Sequence, residues 1–238
     1  MNAKTTFLIV LFCSFLTQFS FGQVEVPVTD KLLEKLRINN DIKGIEDTYY
    51  SDIEGSPYYF KDFMPGTIEL ANGETYNELF KYDIYADQIL FKGGSVIYAI
   101  AHPELIKNVK INNLTFIYSA YKSSANDEKT EDGYFIMEND GNGKLLVHNN
   151  MRIQDPEPPK LYQDAKPAKF IRTSDTYYIK INDEEAIKIN GKKDINSIFG
   201  SYSAQVSDYV KRQKLNLKKM DDLLRMVNFY NTLNSTLR

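Results

Sequence analysis

Two histidines, several runs of neighbouring carboxylates and one glycine-rich acidic stretch are where this sequence could do chemistry. His102 stands just before Pro103, and His148 follows the apolar run Leu145, Leu146, Val147. A metal centre needs three or four ligands converging on one ion, and no close spacing of His, Cys, Asp or Glu offers that set. The two histidines could meet an acid in three dimensions, but isolated structural or surface histidines are the more frequent arrangement. Carboxylates are adjacent at Glu131 and Asp132, at Asp183, Glu184 and Glu185, and at Asp221 and Asp222. Glycoside hydrolysis needs two carboxyls facing each other across a bond. Neighbours in sequence on a loop or helix rarely do so, and solvated acid runs are the expectation. Residues 139–143, Asn-Asp-Gly-Asn-Gly, superficially resemble a calcium loop. They lack the alternating acids and the closing bidentate Glu, and turn chemistry accounts for them. No Gly-x-Ser-x-Gly elbow, phosphate-cradling loop or dinucleotide fingerprint is present. The residue types therefore single out no catalytic, cofactor-binding or metal-binding set. Ser, Thr and Tyr are plentiful, which leaves open a triad assembled by the fold.

The elements that would position such residues are mostly strands. Residues 64–70 read as a strand, followed by Asn72-Gly73, a strong hairpin signal. Phe80, Tyr82 and Ile84 alternate with Lys81 and Asp83, the pattern of a half-buried strand. Residues 89–92 are short and end at Gly93-Gly94. Residues 96–101 are apolar on both faces and read as a central strand. Val109 and Ile111 alternate with polar neighbours, and Asn112-Asn113 turns the chain into residues 114–121. Residues 122–132 read as a loop. Residues 133–138 and 144–147 form a hairpin around the glycine-rich tip. Pro156, Pro158 and Pro159 forbid regular pairing, because proline lacks the amide donor. Residues 169–172 and 177–181 read as a last hairpin across Ser174-Asp175.

The end of the chain is helical in pattern. Asp194 can cap a helix carrying Ile195, Ile198, Phe199, Tyr202, Val206, Tyr209 and Val210 at helical spacing, with Gly200 inside it. A second stripe of Met220, Leu223, Leu224, Val227, Tyr230 and Leu233 follows. The expected fold is α+β and β-rich: an antiparallel meander of about ten strands, as a curved sheet or partly open barrel, with a C-terminal helical pair packed on it. The expected divisions are 1–22, 23–57 with a short helix over residues 29–37, a β domain over 58–185, and a helical segment over 186–238.

The amino terminus has the layout of a cleavable signal peptide: Lys4, then an almost continuous apolar run over residues 6–16, then small residues Ser20 and Gly22. The expected cut falls between Gly22 and Gln23. The apolar run is short for a membrane span, which needs about twenty residues. Cys13 lies inside the run, preceded by Phe12, which does not fit lipid attachment. Removing residues 1–22 from 238 leaves 216 with no cysteine, so disulfides and thiolate chemistry are excluded for that mature chain. The expected location is the periplasm or the exterior.

Charge is unevenly spread. Residues 186–238 hold 10 basic and 4 acidic residues, a net of +6, while residues 23–185 hold 18 basic and 28 acidic, a net of −10. A basic end on an acidic body either packs on that body or serves an anionic partner. Export argues against nucleic acid as that partner. The absence of Trp, against 17 Tyr and 14 Phe, weakens a sugar-platform reading.

Several short stretches carry a resemblance: Gly55-Ser56-Pro57-Tyr58, Gly66-Thr67, Tyr82-Asp83-Ile84-Tyr85 with Asp87, Lys166-Pro167-Ala168 before Phe170, and the ending Asp222 to Asn231 with Tyr230-Asn231. In their order the chain resembles a group of uncharacterised exported envelope proteins of Bacteroidota. The resemblance implies a β-rich envelope protein with a helical end, cleaved before a Gln, and implies no activity. The functional expectation is a non-catalytic binding or interaction module for an apolar ligand, a peptide or a protein partner. The alternatives are a carboxylate-dependent hydrolase of envelope polymers and a structural subunit of an envelope assembly.

Overall fold

The computed structural model describes residues 50–93, 96–159, 161 and 164–235. The expected signal peptide with its Gly22–Gln23 cut, Cys13, the helix over residues 29–37, and Gly94 lie outside the described residues. Among the described residues, twelve strands run in chain order: β1 (Met64–Leu70), β2 (Thr75–Asp83), β3 (Gln88–Gly93), β4 (Val96–Ala99), β5 (Ile106–Ile111), β6 (Leu114–Lys122), β7 (Glu131–Met137), β8 (Gly143–His148), β9 (Met151–Gln154), β10 (Lys169–Arg172), β11 (Thr176–Ile181) and β12 (Ala186–Lys188). Three α-helices follow: α1 (Ile195–Phe199), α2 (Ser203–Arg212) and α3 (Met220–Ser235). The β-rich fold with a C-terminal helical pair is as expected.

Ten strands make one sheet in the order β12-β11-β8-β7-β6-β5-β1-β2-β3-β4. All neighbours in it are antiparallel. One further pairing is parallel: Ala186 lies against Tyr121 and Ile187 against Lys122. That contact joins β12 to β6 and closes β6, β7, β8, β11 and β12 into a five-stranded barrel. The other five strands extend from β6 as a curved wing. β9 and β10 pair only with each other.

Strand alternation builds the barrel wall, because successive side chains point to opposite faces. Phe135, Leu146, Tyr178 and Ala186 are buried together as the barrel's filling. Their neighbours Leu145 and Ile179 face outward and are covered by Ile195, Phe199, Val206, Val210, Leu223 and Val227 from the helices. Full burial of each such side chain is worth about 1.5–3 kcal/mol. The wing has its own core, in which Ile68, Phe80, Tyr82, Phe91, Val109, Ile111, Phe116 and Tyr134 meet.

Four details differ from the sequence expectation. Residues 96–101 do not form a central strand: β4 is the end strand of the sheet, and Val96 is 39% exposed. Its apolar character is met partly by Tyr98 stacking on Phe91 at 5.6 Å. The second is the supposed hairpin of residues 169–172 and 177–181, whose two arms separate: β10 pairs with β9, and β11 with β8. Asn150 explains this, since its Nδ2 donates to Ser174 O and Thr176 Oγ1, both at 2.9 Å, fastening the connection to the end of β8. The third is the helix expected from Asp194, which breaks at Gly200 (φ 49°) into α1, a 3₁₀ turn and α2. Last, the segment expected to be helical from residue 186 opens with β12. The Asn72-Gly73 hairpin is present, but only Gly73 has positive φ, and Gly73 N–H donates to Leu70 O at 2.9 Å, so the loop has three residues.

Candidate functional site

The connection from β2 to β3 is folded by Asp83, which is 4% exposed. Its Oδ1 accepts from Ala86 N–H at 2.9 Å and its Oδ2 from Tyr50 Oη–H at 3.0 Å. Burial raises the Asp83 pKa, and these donors work against the rise. The turn delivers Asp87, at φ 50°, to the mouth of the barrel. There Tyr82 Oη–H donates to Asp87 Oδ1 at 2.6 Å and Tyr134 N–H donates to Asp87 Oδ2 at 3.1 Å. His148 Nε2 lies 3.8 Å from the same Oδ2. Gly133 makes the approach possible: a Cβ there would lie 2.8 Å from Asp87 Oδ2 and 3.6 Å from His148 Nε2.

His148 sits among the rings of Tyr121, Phe135 and Tyr178, with Nδ1 3.1 Å from Asn150 Oδ1. Burial pushes its pKa down, but the Asp87 carboxylate and Asn150 outweigh burial and raise it. Tyr82 is pushed well above the usual phenol range, first by burial and then by Asp87. Beside Asp87 opens a cleft of about 380 Å³, lined among others by Ile100, Ala101, Tyr118, Asp132 and Tyr134. The Tyr134 hydroxyl is buried with no hydrogen-bond partner among the described residues.

The structure therefore brings His148 to an acid, and the acid is Asp87 rather than one of the adjacent pairs. His102 is apart from this arrangement: its Nδ1 lies 3.0 Å from Glu104 Oε1. Among the described residues, no three His, Cys, Asp or Glu side chains are grouped as metal ligands. The acid runs serve as fasteners. Glu131 accepts from Tyr121 Oη–H at 2.8 Å. Glu185 pairs with Lys122 at 2.8 Å. Asp222 pairs with Arg225 at 3.3 Å and accepts from Asn216 N–H at 2.9 Å.

The glycine-rich stretch proves to be a docking joint. Asn231 of α3 accepts from Gly143 N–H at 2.6 Å and donates to Gly143 O at 2.8 Å. A Cβ on Gly143 would lie 2.7 Å from the Tyr230 ring, and one on Gly141 2.7 Å from Asn231 Nδ2. The glycines are small so that α3 can approach.

A second polar pair escaped sequence reasoning. Lys180 Nζ donates to Ser119 Oγ at 3.1 Å and to Glu184 O at 2.6 Å. Burial first, and then Lys144, lowers the Lys180 pKa. A lysine beside a serine is the outline of a nucleophile and its base. Ser119 is only 6% exposed, however, and its hydroxyl donates to Ala120 O at 3.2 Å, which fits a structural strut.

By its fold the chain is a β-rich protein built on a small closed barrel with a wing of five further strands. Comparison with known proteins finds no matching family model, no matching curated protein and no matching solved structure. Among the described residues, no helix is long and apolar enough to cross a membrane.

Proposed function

We propose that the protein is an exported, non-catalytic envelope module that holds a polypeptide partner on the outside of its sheet. The observation that carries this reading is the contrast between a filled interior and an open edge. Phe135, Leu146, Tyr178 and Ala186 occupy the barrel, which favours a ligand site elsewhere. β4 ends the ten-stranded sheet, and among the described residues no strand pairs with its outer edge. Such an edge presents unpaired amide and carbonyl groups to which an extended segment can add. The cleft of Asp87 and Asp132 begins where β4 ends, at Ile100 and Ala101. A segment lying along β4 would enter an acidic, aromatic cleft, which suits a Lys or Arg side chain.

The resemblance to envelope proteins of Bacteroidota agrees with this reading, and cleavage before Gln23 belongs to it. The test is a photo-crosslinking residue placed at Val96 in the exported protein, with Glu128 in the β6–β7 loop as control. One polypeptide captured from Val96 and not from Glu128 supports the reading. Equal capture from both positions, or none from Val96, rejects it.

One observation favours a second reading. Asp87 and Asp132 line one cleft, as a carboxylate hydrolase requires. Release of reducing ends from isolated envelope polymer, abolished in both Asp87→Asn and Asp132→Asn, would replace the first reading with this one.

A further inference from the structure

The turn between α2 and α3 is the most cationic feature of the chain. Lys211, Arg212, Lys214, Lys218 and Lys219 are all exposed, and residues 211–219 contain no acid. None of the five has an ion-pair partner among the described residues, whereas Arg225 nearby is paired with Asp222. The turn is also rigid. Leu215 and Leu217 are buried in the helical core. Leu215 N–H donates to Val210 O at 3.0 Å, Lys219 N–H to Asn216 O at 2.9 Å, and Asn216 N–H to Asp222 Oδ2 at 2.9 Å. Lys214 is held at φ 52°, a conformation that side-chain-bearing residues seldom adopt. Five cations are thus held out on a hydrogen-bonded elbow, with no ion pair to use their charge among the described residues.

We propose that this elbow is a docking surface for an anionic phospholipid bilayer. Four of the five cations are lysines, which act as mobile point charges and do not form the planar forks that grip a fixed carboxylate. Lys211 and Arg212 end α2, Lys214 stands in the turn, and Lys218 and Lys219 precede α3, with only Lys218 lining a cleft. The charges are thus spread over a surface that suits a fluid layer of headgroups better than a set of acids at fixed positions. On the same two helices Tyr209 and Phe229 stack at 4.1 Å with rings 6° apart, both half-buried, and a tyrosine ring suits the headgroup level of a bilayer. The expected body of residues 23–185 carries −10 against +6 for residues 186–238, so a negative surface would repel the body and attract the elbow. The surface is separate from β4 and the Asp87 cleft, so this proposal and the partner reading can fail independently.

The test is co-sedimentation of the protein, purified after export from cells expressing the whole chain, with phosphatidylcholine vesicles with or without phosphatidylglycerol. The expected result is binding to the anionic vesicles alone, weakened at least about tenfold between about 0.05 and about 0.3 M salt as screening shortens the reach of each charge. A variant carrying Lys211→Gln, Arg212→Gln, Lys214→Asn, Lys218→Gln and Lys219→Gln should lose that binding while its circular dichroism and thermal midpoint stay unchanged. Asn is chosen at 214 because it tolerates positive φ. A second variant, Lys218→Gln with Lys219→Gln, should bind less than the wild type and more than the fivefold variant. Equal binding to both vesicle types, undiminished binding by a folded variant, or no vesicle binding overturns the proposal. In the last case, salt-sensitive retention on an acidic-protein column would assign the elbow to a protein partner instead.

Discussion

Replacing Asn231 by Ala should loosen the helical pair from the barrel, and the cost can be worked from the two bonds it breaks. The side chain accepts from Gly143 N–H at 2.6 Å and donates to Gly143 O at 2.8 Å. Gly143 O keeps a second donor, Asn139 Nδ2 at 2.9 Å, so losing Asn231 costs that oxygen one bond of two. Gly143 N–H loses Asn231 Oδ1, the acceptor it meets in this half-buried joint. One net hydrogen bond is worth about 1 kcal/mol, and a stranded buried donor costs about 1–2 kcal/mol more, giving a total near 2–3 kcal/mol. With a urea slope of about 2 kcal/mol/M, the unfolding midpoint should fall by about 1 M. The assay is equilibrium urea unfolding followed by circular dichroism, with Asn228→Ala as control, since Asn228 is exposed on the same helix. The control should move by no more than about 0.5 kcal/mol. If Asn231→Ala and Asn228→Ala shift the midpoint equally, the joint does not hold α3 to the barrel and the reasoning is refuted.

Three further outcomes are expected. Gly66→Ala places a Cβ 2.3 Å from Lys110 O and 2.8 Å from the Phe80 ring, so β1 must part from β5. A loss of at least about 3 kcal/mol, or failure to fold, should appear in the same urea assay, and a loss under about 1 kcal/mol would contradict the packing. Tyr134→Phe removes a buried hydroxyl that lacks a partner among the described residues, and should be neutral or stabilising by up to about 1 kcal/mol. A clear destabilisation would mean that the hydroxyl is bonded. His148 has its pKa raised in the folded state, chiefly because Asp87 outweighs burial. The stabilisation linked to that shift is complete below the unfolded value of about 6.5 and disappears as pH rises through the folded value. The difference in thermal midpoint between wild type and His148→Gln should therefore favour the wild type more at acid than at alkaline pH, and a flat or inverted difference would contradict the pairing.

Much of the fold is readable from local pattern. The alternation of Phe80 and Tyr82 with Lys81 marks β2, and the stripe from Met220 to Leu233 marks α3. Barrel closure is not readable, because it rests on two residue pairs between β12 and β6 and a three-residue strand has no period to detect. β4 misleads for a different reason: half-burial at an end strand and full burial at a central one select the same apolar residues. The site is harder still. Asp87 and His148 stand 61 positions apart in the numbering, and nothing near either one points to the other. The local signal is Tyr82-Asp83-Ile84-Tyr85 with Asp87, two tyrosines and two acids within six positions. Its residues fold the turn, and the Tyr230-Asn231 pair seats α3, so these two of the five resemblance stretches prove to be joints.

The central claim is that this protein holds a polypeptide on its outside and nothing within its barrel. Native mass spectrometry of the protein purified from its own cells, compared with the same sample denatured, tests it most directly. The account predicts a reproducible added mass of polypeptide size that denaturation releases. A native mass equal to the denatured one, with no polypeptide released, would contradict the account.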